Sequence, residues 1–165
     1  MATSDFSGGT ESIFNAPEPE DERYLDAARD VREDPGALER WDALEDWAGE
    51  ANHPDPIARL YWQALEAGPP ADVATELAQR AVGFHEEWYG EGAPVLLSLL
   101  RKILESDPSS FDWAFPRLTV AYTSSESWDE LLSLYDAEIE RNQSDAERAT
   151  SLLEEAIQTA KDFAD

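Results

Sequence analysis

Leu96-Leu97-Ser98-Leu99 returns unchanged as Leu131-Leu132-Ser133-Leu134, 35 positions further along the chain. Each copy lies in a segment where apolar residues recur every three or four positions, as on one face of an α-helix. Proline and glycine clusters separate such segments, and none shows the alternating pattern of a β-strand. A period of roughly 34 to 39 residues is typical of stacked helix pairs, none of which buries its apolar face alone. The sequence therefore predicts an all-α fold of antiparallel helix pairs stacked as an α-solenoid.

The composition predicts an acidic, globular protein whose partner is another protein. The chain has 165 residues, with 37 acidic and 12 basic side chains and a net charge of −25. Six tryptophans and 42% hydrophobic residues argue against disorder despite this charge. A negative field repels phosphates and anionic lipid, so we expect a basic protein partner, and neither nucleic acid nor a membrane. Solubility alone also explains the acidity, and both interpretations remain open.

The ends and the cysteine content bear on location. No cysteine is present, which fits a reducing compartment and excludes disulfides and thiol nucleophiles. The N-terminus lacks the basic flank and apolar core of a signal peptide. These features predict a cytoplasmic protein.

The chain is predicted to divide into an arm and a helical repeat domain. Residues 1–19 are expected to form a flexible acidic arm, because Pro17-Glu18-Pro19 resists helix formation. Phe6, Ile13 and Phe14 in the arm are either incidental apolar residues or anchors that dock it on the helices or on another protein. Residues 20–165 form the repeat domain.

Helix ends within this domain are predicted from proline, glycine and capping residues. Ser127 is expected to cap the seventh helix, and Ser144 with Glu147 to form a capping box for the eighth. The predicted helices cover residues 20–33, 37–51, 56–67, 71–89, 93–106, 110–123, a segment starting after Ser127, and a last segment from Ser144 onward.

A consensus pattern is visible in the first repeat. Positions 4, 7, 24, 27 and 32 of a 34-residue frame hold Trp41, Leu44, Tyr61, Ala64 and Pro69. The tetratricopeptide consensus has Trp, Leu, an aromatic residue, Ala and Pro there, so residues 38–71 resemble a tetratricopeptide repeat. Glu45 and Ala48 replace the consensus glycine and second aromatic residue, which makes the match partial. Further repeats are predicted at 77–110 and 112–145, with a half repeat at 146–165; their markers include Pro108, Leu118, Tyr122 and Tyr135.

The second half of the chain is also similar to the degenerate repeats of very large bacterial tetratricopeptide proteins, of the type found in myxobacteria. The segments that carry this resemblance are Trp128–Asp136 and Ala160–Ala164. It implies a scaffold that binds other proteins.

No catalytic motif accompanies the repeats. Neither His53 nor His85 has a serine or carboxylate at the spacing of a catalytic set. In His85-Glu86-Glu87-Trp88-Tyr89 a tyrosine stands where a zinc protease helix has its second histidine. We therefore expect no enzyme activity, no metal and no cofactor.

The resemblance also implies a concave groove lined by the first helix of each repeat. The groove is expected to be acidic at one end and aromatic at the other, which suits a basic, partly apolar segment. The alternative is that these side chains are only a solvated face. The groove residues so predicted are Glu39, Asp42, Asp46, Gly49, Ala78, Ala81, His85, Tyr89, Trp113, Pro116, Val120 and Thr123.

Three functions follow from this pattern. The first is a non-catalytic scaffold or adaptor that docks a partner segment. The second is an acidic mimic of nucleic acid that inhibits a basic protein, and the third is a structural spacer in a larger repeat array. An apolar stripe on the last helix, which includes Leu153 and Ile157, indicates stacking on further repeats or self-association.

Overall fold

Helices form all the regular structure in the described part of the chain. The computed structural model describes the backbone of residues 13–164 and the side chains of residues 13–162. Eight α-helices of eleven or more residues are present: α1 Glu22–Glu33, α2 Trp41–Ala51, α3 Asp55–Glu66, α4 Ala71–Tyr89, α5 Pro94–Ser106, α6 Phe111–Ser124, α7 Trp128–Arg141 and α8 Ala146–Ala164. Single 3-10 turns at Leu38–Arg40 and Pro108–Ser110 lead into α2 and α6. The predicted all-α class is confirmed, and no described helix is long and apolar enough to cross a membrane.

The chain forms two compact units, Met1–Phe115 and Pro116–Asp165. Helices α1 to α5 belong to the first unit, and α7 and α8 belong to the second. The boundary falls inside α6 at Pro116, which has no amide hydrogen to donate to the helical ladder.

Local chemistry sets several helix ends. The Asp21 carboxylate accepts a hydrogen bond from the Arg23 amide at 2.8 Å and caps α1. Asn52 ends α2 in the left-handed region at φ 51°, which its short polar side chain tolerates. Gly68 follows α3 at φ 74°, where glycine has no steric penalty.

Two predicted caps are wrong. Asp145, not Ser144, caps α8, because its carboxylate lies one position before the helix and accepts from the Arg148 amide at 3.1 Å. Ser127 precedes α7 as expected, but its side chain makes no capping hydrogen bond. Its hydroxyl lies 2.8 Å from the hydroxyl of Ser125 instead.

Aromatic rings fill the centre of the first unit. The Trp41 indole of α2 lies flat on the Tyr61 ring of α3, with centroids 3.9 Å apart and planes 6° apart. Tyr61 in turn meets Phe84 of α4 at 5.6 Å. The Trp41 ring nitrogen also donates to the Pro35 carbonyl at 3.0 Å. The three helices are thus joined by one aromatic cluster. Contacts between aromatic rings stabilise the fold by more than the burial of their surface area alone.

Two pairs of consecutive helices in the first unit, α1 with α2 and α3 with α4, run antiparallel. Arg23 near the start of α1 pairs with Glu50 near the end of α2, while Glu33 at the end of α1 pairs with Arg40 just before α2. In the second pair, the Asp55 carboxylate at the start of α3 accepts a hydrogen bond from the Tyr89 hydroxyl at the end of α4. This agrees with the predicted direction of successive helices.

The segment before α1 is docked on the helices. Ile13 is 1% exposed and belongs to the core. Phe14 stands edge-on to the Trp62 ring of α3, with centroids 5.5 Å apart. Arg59, also in α3, donates to the Ala16 carbonyl. Backbone and side chains of this short segment therefore both contact α3.

Ile13 and Phe14 thus follow the second alternative, that of anchors that dock this segment on the helices. Glu18 adds an ion pair to Arg32 of α1 at 3.1 Å. The segment docks because it covers apolar surface of α3. The rest of the predicted arm, residues 1–12, lies outside the described residues, and the division at residue 19 stays a prediction.

In the second unit α7 packs against α8. Its core includes Leu131, Leu134 and Tyr135 of α7 and Leu152 of α8. Among the repeat markers of both units, Trp41, Leu44, Tyr61, Leu118, Tyr122 and Tyr135 are buried, Ala64 and Pro69 are half-buried, and Pro108 is exposed.

Replacement of Trp41 by alanine is expected to destabilise the protein by about 3–5 kcal/mol, because it removes the stacked ring and leaves a cavity. Urea denaturation followed by far-ultraviolet circular dichroism measures this loss. Trp88, a half-buried tryptophan of α4, is the matched control, and Trp88→Ala is expected to cost less than about 2 kcal/mol. Equal losses in the two variants would contradict the central place of the stack.

Candidate functional site: the acidic face of α2

One side of α2 carries a row of exposed acidic side chains. They are spaced three or four residues apart, which places them on the same side of the helix. The opposite side is anchored in the core by Trp41 and Leu44. The row, named here the acidic face of α2, consists of Asp42, Asp46 and Glu50 of α2 and Glu39 of the 3-10 turn that leads into it.

Two arginines from neighbouring helices pair with this face. Arg80 of α4 approaches the Asp42 carboxylate at 2.5 Å, and Arg23 of α1 approaches Glu50 at 2.6 Å. The hydrogen bond and charge of Arg23 lower the pKa of Glu50 below its ordinary value. Within the described part of the chain, Glu39 and Asp46 form no ion pair. These two carboxylates are the ones left for an external cation.

Arg80 also ties three helices together. Its Nε donates to the Glu45 carboxylate at 2.7 Å and to the Tyr61 hydroxyl at 3.1 Å. The Tyr61 hydroxyl donates to the same carboxylate at 2.9 Å. Glu45 therefore receives two hydrogen bonds from two other helices, which fixes α2 relative to α3 and α4.

The surroundings keep this network in one protonation state. Burial raises the pKa of Tyr61, and the negative charge of Glu45 raises it further. Burial alone would lower the pKa of Arg80, but its hydrogen bonds with Asp42, Glu45 and Tyr61 raise it above the ordinary value. Tyr61 thus remains a hydrogen-bond donor and Arg80 remains charged.

The structure places the predicted groove residues in different surroundings. Glu39, Asp42 and Asp46 are exposed together on the acidic face of α2. Tyr89 and Trp113 are half-buried, and the Tyr89 hydroxyl is engaged by Asp55 at 2.6 Å. Val120 is 65% exposed and lies in the second unit.

The prediction that His85 lines an open groove is wrong. His85 and Ala81 are fully buried, and Ala78 is nearly so. Helix α4 packs against both α3 and α5, so the side assigned to the groove belongs to the core. The predicted row of binding residues is therefore not open on α4.

Sequence reasoning missed the basic partners of the site. Arg80 occupies position 4 of the second repeat, the position that Trp41 occupies in the first. Because that position faces the neighbouring helices, the sequence could have predicted that the Arg80 side chain faces them too. In the second unit it missed Glu138, which is 2% exposed and paired with Arg141. The signal was available there too, because Glu138 follows the buried Leu131 by seven residues, on the same side of α7.

His85 is a neutral, buried ring. Its Nδ1 lies 2.7 Å from the Ala81 carbonyl, so this nitrogen carries the hydrogen and donates it. Its Nε2 is buried and has no hydrogen-bond partner among the residues that the structure describes. Burial lowers the pKa of His85 to about 4. In residues 13–162 no three His, Asp or Glu side chains converge as a metal site.

Stability is expected to fall as the pH drops from about 6.5 to about 4. In that window the unfolded chain binds a proton at residue 85 that the folded protein, with a His85 pKa of about 4, rejects. The loss approaches about 3 kcal/mol at the acidic end. Urea denaturation across this pH range measures it, and proton NMR titration of the ring gives the pKa directly.

His85→Gln is expected to flatten this pH dependence relative to the unmodified chain. His53→Gln, which changes the half-buried loop histidine, is the matched control and is expected to keep it. Because carboxylates titrate in all three proteins, only the difference between their slopes reports on His85. A ring that titrates near its ordinary value would contradict the burial argument.

Arg80→Met is expected to destabilise the protein by about 1–3 kcal/mol, since it leaves the Glu45 carboxylate partly buried without its cation. Arg23→Met is the matched control. It breaks an ion pair between two exposed side chains and is expected to cost less than about 1 kcal/mol. Thermal and urea denaturation of both variants test the difference, and a larger loss for Arg23→Met would refute it.

Comparison with known proteins gives no match. No family model matches the chain, and neither a curated protein nor a solved structure does. A function is therefore inferred from the charges, burial and contacts of the chain's own residues.

Proposed function

We propose that this chain is a non-catalytic protein–protein interaction module that binds a basic, partly apolar segment of a partner protein. The observation that carries the proposal is the acidic face of α2, with three exposed carboxylates on one side of this helix and a fourth, Glu39, in the 3-10 turn before it. The other side of the helix is held in the core. One helical turn rises about 5.4 Å, so the row offers charges at a spacing that lysines or arginines of a partner can match. Complementary charge speeds association and selects basic partners.

The proposed architecture is a tetratricopeptide-like stack of helix pairs. In such a stack, first helices adjoin first helices and second helices adjoin second helices. Two contacts within Met1–Phe115 support this order: Arg80 of α4 pairs with Asp42 of α2, and Lys102 of α5 pairs with Glu66 of α3 at 3.4 Å. In the second unit, the proposed tetratricopeptide-like order of helices is supported by the sequence repeat alone.

Docking of a protein segment fits the site better than mimicry of nucleic acid. A mimic needs an unbroken row of negative charge to replace phosphates. Arg23 pairs with Glu50, and Arg80 pairs with Asp42 as well as with Glu45, so positive charge interrupts this row. Among the described residues, the carboxylates of the row without an ion pair are the separate ones of Glu39 and Asp46. A cytoplasmic location is part of the proposal, supported by the absence of cysteine.

Selection from a random peptide-display library on the folded chain is expected to enrich basic peptides that contain apolar residues. An enriched peptide is expected to bind the double variant Glu39→Gln/Asp46→Asn about threefold to tenfold more weakly, since two exposed charge contacts are lost. Isothermal titration at about 0.15 M salt measures the affinities.

The control is the double variant Asp129→Asn/Glu130→Gln, which makes the same change of charge at exposed positions of α7. It is expected to bind the peptide as the unmodified chain does. An equal loss of peptide affinity in both double variants would contradict the proposal and indicate that the peptide is attracted by the net charge of the chain. Failure to enrich any peptide would favour the structural spacer.

A further inference from the structure

We infer that α8 carries a second docking surface, which takes a basic amphipathic helix of another protein. This surface lies in the unit Pro116–Asp165 and shares no residue with the acidic face of α2. The inference therefore goes beyond the proposed function and can fail or succeed separately from it.

The apolar side of α8 is wider than the part that its neighbour α7 covers. Leu152 is buried, whereas Leu153 and Ile157 are 50% and 47% exposed. These two side chains are four residues apart and so adjoin each other on the helix surface. Ala160, half-buried, continues the same stripe one turn further on. Single exposed apolar side chains such as Val120 are ordinary, but an aligned pair on one helix marks a surface that can be covered.

The shape of this stripe suits a helix. Leu153, Ile157 and Ala160 follow the spacing i, i+4, i+7, which is also the spacing by which a docked amphipathic helix presents its apolar side chains. Two such stripes interlock along their length, as ridges of one helix fill grooves of the other. The small Ala160 side chain allows close approach at one end.

The charge around the stripe selects a basic occupant. Glu147 and Glu154 are exposed along its outer border, seven residues or about 10 Å apart, with Lys161 at the far end. The unit as a whole has twelve acidic and four basic side chains. A second copy of the chain would bring the same excess of acids against this border and be repelled. Lysines or arginines that flank a partner's apolar stripe would instead meet opposite charge.

A synthetic helix tests the inference. The probe is a peptide of about 18 residues with leucines at i, i+3, i+4 and i+7 and lysines elsewhere, compared with a peptide of the same composition whose leucines are scattered. Amide chemical shifts of the full chain locate the bound probe, and isothermal titration gives its affinity. We expect the shifts to centre on α8, and the scattered peptide to bind about tenfold or more weakly.

Variants of the exposed pair complete the test. Leu153→Ser/Ile157→Ser is expected to weaken probe binding about tenfold or more, and the single change Ile157→Gln to act in the same direction with less risk to the fold. Val120→Ser is the matched control, an exposed apolar residue of the same unit that lies on another helix. It is expected to leave the affinity unchanged.

Several results would overturn the inference. Shifts centred on α2, equal affinity for the scattered peptide, or equal loss in Val120→Ser would each reduce the binding to diffuse charge. A dimer in sedimentation equilibrium that Leu153→Ser/Ile157→Ser dissociates would assign the stripe to a second copy. The double variant Glu39→Gln/Asp46→Asn is expected to bind the probe with an affinity within about twofold of that of the unmodified chain. Loss of probe binding in this variant would overturn the inference.

Discussion

The stack of Trp41 on Tyr61 is the contact that fixes the acidic face of α2. Both rings are buried at the junction of α2 and α3, so α2 cannot turn about its axis without exposing an indole. Asp42 follows Trp41 directly, so anchoring the indole inward holds the carboxylate outward. Partly buried hydrogen bonds from Arg80 of α4 to Glu45 and Tyr61 also hold α2 and α3 together. Apolar packing thus sets where the charge is displayed.

The sequence predicts helices and core well because both depend on local spacing. Proline and glycine place most helix ends within two residues, and Tyr61 and Leu44 are buried as their positions in the repeat imply. The site is predicted only in part. A repeat frame assigns His85 to a side of its helix, but it does not tell how many sides neighbouring helices cover. The partners of Asp42 and Glu50 lie 38 and 27 residues away, beyond any local pattern.

The acidic face also links binding to stability. Like charges three or four residues apart on a helix repel one another by a few tenths of a kcal/mol per pair. Arg23 and Arg80 relieve this repulsion at Glu50 and Asp42, while Glu39 and Asp46 keep it. A bound basic segment would relieve the remainder and stabilise the folded chain in proportion to its concentration. The partner would then act on the fold through the charges that the chain leaves unpaired.

The docked N-terminal segment has a consequence for the order of events during synthesis. The Ala16 carbonyl and the Arg59 side chain that holds it are 43 residues apart. The segment therefore leaves the ribosome well before α3, and it cannot reach its site until that helix has emerged and folded. Until then Phe14 lacks the contact with Trp62 of α3 that it makes in the folded protein. The contacts of this segment with α3 thus form only after α1 and α2, which lie between the two in sequence, have been made.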